Sequence, residues 1–192
     1  MSNKPGPLDP RKDSPPPAEG LRIAISGKSG CGNSTVSRLV AARLGLRVIN
    51  YTFKNLAQDK GMSFDEVCLL AEADPQYDLN IDRMQVQLAS QGPCVLGSRL
   101  AIWLLRDIAF TVYLKAPLQV RAQRIASREG KEPAAALQET EERDRRDHDR
   151  YARLYGYNVD SFDFAALVVD AASLSQEQVT EEIVSHATAR RP

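Results

Sequence analysis

The chain has 192 residues, enough for one compact domain with a substantial core. Hydrophobic residues make up 43% and charged residues 26%, and 25 Lys and Arg balance 25 Asp and Glu. No global field draws such a chain to nucleic acid or a membrane surface, so any basic site must be local. No stretch approaches the roughly 18 apolar residues of a membrane span, and residues 1–20 hold no apolar run that could serve as a signal sequence. Cys31, Cys68 and Cys94 form no CxxC pair, and with His148 and His186 they offer no zinc set. We therefore expect three free thiols in a reducing, cytoplasmic setting.

Residues 1–20 contain six prolines and almost no apolar side chains. They cannot bury enough surface to offset chain entropy and are expected to form a disordered leader, with a single domain over 21–192. From Leu21 the pattern changes. LRIAIS (21–26) reads as a buried strand, followed by a glycine turn and a helix whose Val36, Leu39, Val40 and Leu44 share a face that Gly45 closes. RVIN (47–50), CVLG (94–97), FTVYLK (110–115) and ALVVD (166–170) read as four further strands. Helices are predicted over 53–60 and 63–73, the second capped by Ser63 with Glu66, then over 76–91, 117–129, 134–155 and 175–189. Buried strands alternating with helices predict an α/β fold: a five-stranded parallel sheet with helices on both faces. Ligands of such sheets lie at the carboxyl ends of the strands, where the glycine turn falls.

That turn is Gly27-Lys28-Ser29-Gly30-Cys31-Gly32-Asn33-Ser34-Thr35, between a strand and a helix as a Walker A phosphate loop requires. Glycines let successive N–H groups wrap an anion, and the helix N-terminus adds partial positive charge. Ser34 stands where a hydroxyl coordinates magnesium. The pattern GxxxxGK[ST], however, needs lysine where this chain has Asn33, which supplies no charge. Lys28, one residue after the first glycine, is the candidate replacement on its flexible stem. The other reading is a glycine turn that only packs helix against strand.

Further along, Arg143, Asp147 and Arg150 are spaced i, i+4, i+7, so one helix face presents two guanidiniums and a carboxylate. Such a face suits a phosphate and a base amino group, although Glu139–Arg143, Glu141–Arg145 and Glu142–Arg146 would equally stabilise an exposed helix. Arg121, Arg124 and Arg128 form another stripe, and on spacing alone these read as solubilising surface charges.

From Leu21 to about Ala187 the chain resembles P-loop nucleoside monophosphate kinases, and within them the short, archaeal-like cytidylate kinases. Phe53-Lys54, Gly61-Met62-Ser63, the run 71–89, Ser98-Arg99-Leu100 with Trp103, the run 114–130 and ERDRRDHDRY (142–151) with Tyr155-Gly156 carry the resemblance. It implies a three-layer P-loop fold with a monophosphate-binding region at about 53–92 and a lid at about 128–148. It implies transfer of the ATP γ-phosphoryl to CMP or dCMP, with Mg2+ on Ser34 and the loop Gly27 to Thr35 around the donor. Lys28, Arg124, Arg128 and Arg143 would act on the transferring group. Lys54, Arg99, Arg143, Asp147 and Arg150 would bind the acceptor. For Arg121 a surface role is still expected.

Two departures accompany the resemblance. Asn33 replaces the lysine, and CVLGSRL lacks the acidic residue that related kinases carry near Gly97. They motivate an alternative, a nucleotide-binding regulatory protein that kept the fold with little turnover, or a kinase of another small phosphate acceptor. A monomer acting on small nucleotides, without nucleic-acid or membrane partners, is the expectation.

Overall fold

The computed structural model describes residues 7–12 and 19–189. Its elements are β1 (Arg22–Gly27), α1 (Asn33–Leu44), β2 (Arg47–Ile49), α2 (Phe53–Lys60), α3 (Phe64–Ala73), α4 (Gln76–Ser90), β3 (Cys94–Gly97), α5 (Ala101–Leu104), β4 (Phe110–Lys115), α6 (Leu118–Glu129), α7 (Pro133–Tyr155), β5 (Leu167–Asp170) and α8 (Gln176–Ala189). The strands form one sheet in the order β2-β3-β1-β4-β5, and every pairing is parallel. All five predicted strands are present, and the alternation of strand and helix follows the expected three-layer α/β arrangement.

β1 lies at the centre, and all of its residues are buried. The strand period sorts side chains between two cores. Ala24, Cys94, Leu96 and Tyr113 face α4, α5 and the end of α7, with Leu79, Val86, Trp103 and Leu154. Ile23, Ile25, Val95, Val112 and Leu114 face the other way, onto Val36 and Val40 of α1 and Val179 and Ile183 of α8. Each fully buried Ile, Leu or Val contributes about 1.5–3 kcal/mol of transfer free energy, so burial on both faces decides the layering. A third, smaller cluster of Leu56, Ala57, Val67 and Ile81 holds α2, α3 and α4 together as a helical subregion. The Ser63–Glu66 capping box forms as expected and starts α3.

One element has no counterpart in the sequence reading. α5 is a single turn within an uninterrupted apolar run, where no helical period is visible. Tertiary contacts make it: the Ile102 N–H donates to the Ser26 hydroxyl, which donates in turn to the Ser98 carbonyl. Within the proline-rich stretch, Pro7–Lys12 runs against the end of α7. The Leu8 N–H donates to the Leu154 carbonyl, Pro10 is buried, and Arg11 pairs with Asp107. Residues 1–6 and 13–18, and the side chain of Cys68, lie outside the described residues; Cys31 and Cys94 are free and buried.

The register aligns Ile25 with Gly97 and Gly27 with Leu114, bringing the carboxyl ends of β3, β1 and β4 into one row beneath the glycine loop. At Gly97 itself there is no room for an acidic side chain. A Cβ on it would lie 2.1 Å from Ser37 Oγ and 2.8 Å from Ser37 Cβ on α1, so helix and strand pack too closely for a side chain there. Gly97→Ala should therefore destabilise the fold by roughly 1–3 kcal/mol through overpacking, read as a lower urea midpoint at unchanged slope.

Candidate active site

The loop from Gly27 to Thr35 leaves β1 and turns directly into α1. Gly30 and Gly32 have φ of 87° and 100°, in the left-handed region that side chains disfavour. At Gly30 there is also no space, because a Cβ would sit 2.7 Å from the Arg121 carbonyl oxygen. The loop is thus wedged against the first turns of α6.

Asn33 occupies the lysine position and its amide turns inward. Nδ2 donates to the Gly27 carbonyl at 2.6 Å, while Oδ1 is buried without a hydrogen-bond partner among the described residues. Asn33 therefore staples the loop and adds no charge to it. Lys28 reaches the other way, with Nζ 2.7 Å from Asp160 Oδ1 in the segment after α7. The His148 ring shares that carboxylate, at 2.8 Å from Oδ2. The Lys28 ammonium, through its hydrogen bond above all, holds the Asp160 carboxyl below the usual range. Phe162, stacked on Tyr113 at 3.8 Å between ring centroids, and Phe164, edge-on to Trp103, anchor this segment to the sheet.

Arg121 is a correction to the sequence reading. It is not a surface charge but 4% exposed. Its guanidinium donates to the Ala116 and Ser29 carbonyls at 3.0 and 3.1 Å and takes Asp144 in a two-pronged bridge at 3.2 and 2.7 Å. Arg99, next to the end of β3, makes a parallel bridge. It donates to the Ser29 hydroxyl at 2.8 Å and pairs with Asp147 at 2.6 Å.

Of the predicted acceptor residues, Arg143 lines the cavity above the loop, and the other four separate into two groups. Arg99, Asp147 and Arg150 converge near α4: Arg150 pairs with Asp78, and the Tyr155 hydroxyl donates to Asp82 at 2.6 Å. Burial pushes the Asp147 carboxyl up while Arg99, Arg150 and Arg143 pull it down. Burial, with Asp78 adding to it, pushes the Asp82 carboxyl up to about 7 despite the Tyr155 hydrogen bond. Lys54 stands apart, on α2 above the Phe64 ring. Asp78, Asp82, Asp144, Asp160 and His148 were not singled out from the sequence. Asp78 and Asp82 lie in the resembling run 71–89, and Asp144 lies one turn before Asp147.

Above the loop is an open cavity of about 920 Å3. Lys28 to Val36, Gly97 to Arg99, Arg124, Arg128, Arg143, Ala171 and Leu174 to Gln176 line it, with no carboxylate among the described lining residues. Arg124 donates to the Ala171 carbonyl at 2.7 Å, whereas Arg128 is largely exposed and pairs with Glu129. Such a wall of loop amides, a helix N-terminus and guanidiniums has the chemistry to receive a polyphosphate. Magnesium fits it only as an ion carried by that polyphosphate. The exposed Ser34 hydroxyl is a hard oxygen ligand, no carboxylate stands near it, and no cluster of three His, Cys, Asp or Glu that could hold an ion occurs among the described residues.

A glycine loop between the central strand of a parallel sheet and a helix, with this cavity above it, defines a P-loop kinase fold. Solved structures agree on the fold: an uncharacterised protein from Eubacterium ventriosum matches 90% of this chain and 100% of its own with a TM-score of 0.66 at 17% identity. A shikimate kinase from Acinetobacter baumannii matches 89% and 94% with a TM-score of 0.55 at 14% identity. Sequence similarity is more specific. The profile of the cytidylate kinase-like family matches residues 22–173, and the chain belongs to that family. It is 37% identical to cytidylate kinase 2 of Borrelia garinii over 167 residues, 85% of this chain and 94% of that protein. It is 41% identical to the cytidylate kinase of Aeropyrum pernix over 169 residues, 86% and 98% of the two chains.

Asp82 makes a pH prediction. Its folded-state pKa of about 7 lies above the ordinary 3.8, so between these values the native state holds a proton that the unfolded chain has lost. Stability from this group is complete below pH 3.8 and is lost as pH rises through 7. Asp82→Asn, which can still accept the Tyr155 hydrogen bond, should remove that loss. Its melting temperature should exceed that of the wild type increasingly from pH 5 to pH 8, by about 3 °C or more, given roughly 2–4 °C per kcal/mol for a domain of this size.

Proposed function

We propose that the protein transfers the γ-phosphoryl group of ATP to CMP, giving CDP and ADP. The observation that carries this reading is the juxtaposition of the cationic, carboxylate-free cavity with the Arg99–Asp147–Arg150 group, across the single loop residue Ser29. Phosphoryl transfer asks the protein for alignment and charge neutralisation rather than covalent chemistry. The loop amides and the start of α1 would hold the donor phosphates, with Ser34 and the donor oxygens holding Mg2+. Magnesium, when bound, would neutralise charge on those oxygens.

The missing lysine requires another cation, and Lys28 is placed to supply it. Its ion pair with Asp160 is partly exposed, with side chains 36% and 47% accessible. Pairs of that kind are worth about 0–1 kcal/mol, so an incoming triphosphate with several charges competes for the ammonium easily. Arg124, Arg128 and Arg143 would complete the neutralisation as the lid closes over the donor.

On the acceptor side, cytosine carries an amino group at the position where uracil carries a carbonyl. A carboxylate such as Asp147 accepts from the first and repels the second, while Arg150 can donate to the ring. Arg99 and Lys54 would take the acceptor phosphate, Lys54 after the α2–α4 subregion moves toward the loop. A monomeric, cytoplasmic enzyme is the reading we propose; among the described residues Cys31 and Cys94 are free and buried, and no helix is long and apolar enough to cross a membrane.

A coupled assay for ADP with CMP, dCMP, UMP, AMP, GMP and shikimate tests the reading. CMP or dCMP should give the highest kcat/KM, and failure of every acceptor at high enzyme concentration would refute it. Lys28→Ala should lower kcat/KM for ATP at least about tenfold if that side chain carries the missing charge. Asp147→Asn should cut the preference for CMP over UMP by about tenfold or more, mainly through CMP, because the amide can present either a donor or an acceptor.

A further inference from the structure

We infer that Ser29, although part of the donor loop, is a positioning residue for the acceptor: its hydroxyl fixes the direction of the Arg99 guanidinium and joins the donor loop to the acceptor helix. The inference rests on the acceptor role proposed for Arg99. Both oxygens of Ser29 are engaged outside the loop. The hydroxyl accepts from Arg99 Nη2 at 2.8 Å, and the carbonyl accepts from Arg121 Nη1 at 3.1 Å. The far ends of the two arginines are held by Asp147 and Asp144, which lie one turn apart on the same face of α7. A closed ring results, running from Ser29 through Arg99 to Asp147, along α7 to Asp144, and back through Arg121.

The geometry of guanidinium explains why the hydroxyl matters. Arginine offers five N–H groups in a rigid plane. Asp147 alone, on Nη1, would leave that plane free to pivot about one contact. The Ser29 hydroxyl on Nη2 supplies the second contact and directs the remaining N–H groups. Ser29 cannot drift to supply this contact at will, because its carbonyl is fixed by the buried Arg121 and Gly30 packs directly on the Arg121 backbone. The backbone of the donor loop therefore determines where an acceptor-side cation points. Any displacement of α7 would reach the loop by both bridges.

Steady-state kinetics of Ser29→Ala test this. The KM for CMP should rise roughly tenfold, as for loss of a hydrogen bond to a charged group, while the KM for ATP stays within about twofold. In an Arg99→Lys background, where the second contact is already lost, the same substitution should have little further effect on CMP. A Ser29→Ala enzyme with a raised KM for ATP and an unchanged KM for CMP would overturn the inference, since the hydroxyl would then serve the donor. So would a Ser29→Ala penalty on CMP that persists in full in the Arg99→Lys background. Calorimetric titration with CMP reads the same comparison without turnover. A wild-type protein that turns over or binds CMP, with Ser29→Ala binding it equally well, defeats this inference alone. A wild-type protein that neither binds nor phosphorylates CMP defeats the proposed function and this inference with it.

Discussion

The buried Arg121–Asp144 pair is the constraint on which the site depends. A guanidinium removed from water costs several kcal/mol unless its hydrogen-bonding capacity is met and its charge opposed. Here a carboxylate and two carbonyls surround it, one at the end of β4 and one in the glycine loop. Three segments far apart in sequence can satisfy the arginine only in one arrangement. Removing one partner of such a pair is generally far more damaging than never having it, by about 3–5 kcal/mol, so the arrangement is held tightly. The loop is accordingly shaped before any phosphate arrives, which is what a preorganised electrostatic site needs.

The distribution of charge follows from that frame. In a loop of this kind the lysine at the helix start ordinarily brings the cation. Asn33 instead closes the loop on the Gly27 carbonyl, and the close packing of Gly97 on Ser37 leaves no space for a side chain at that position. The loop therefore carries no charge at residue 33, and β3 carries no carboxylate at residue 97. The remaining cations stand around the rim, on the loop, α6 and α7. Lys28 pairs with Asp160, and Arg124 pins the turn after β5.

Much was legible in one dimension. The five strands, the glycine turn and the capped start of α3 each rest on local signals: apolar runs of strand length, a cluster of glycines, and a Ser–Glu spacing. The helical period put Arg143, Asp147 and Arg150 on one face of α7, and in the fold Arg143 lines the cavity while Asp147 meets Arg99 and Arg150 meets Asp78. Arg121 was misjudged because a charged residue on an amphipathic helix looks the same from sequence whether its stripe faces water or a buried carboxylate. α5 escaped because an apolar run has no period, and the Ser26 hydroxyl, from a distant strand, satisfies the Ile102 N–H at the start of the turn.

The sequence by itself determined the family, the layered α/β architecture and the position of the glycine loop between β1 and α1, because these depend on local pattern and spacing. Only the tertiary structure decided which charges meet. Asp160 to Lys28, Asp78 to Arg150, and Arg99 to both Ser29 and Asp147 are pairings across tens of residues or more. Which partner each charge takes is set by strand register, by the packing of α6 and α7 against the loop, and by the steep loss of an unpaired charge's stability away from water. Those are properties of the folded whole, and no short window of residues contains them.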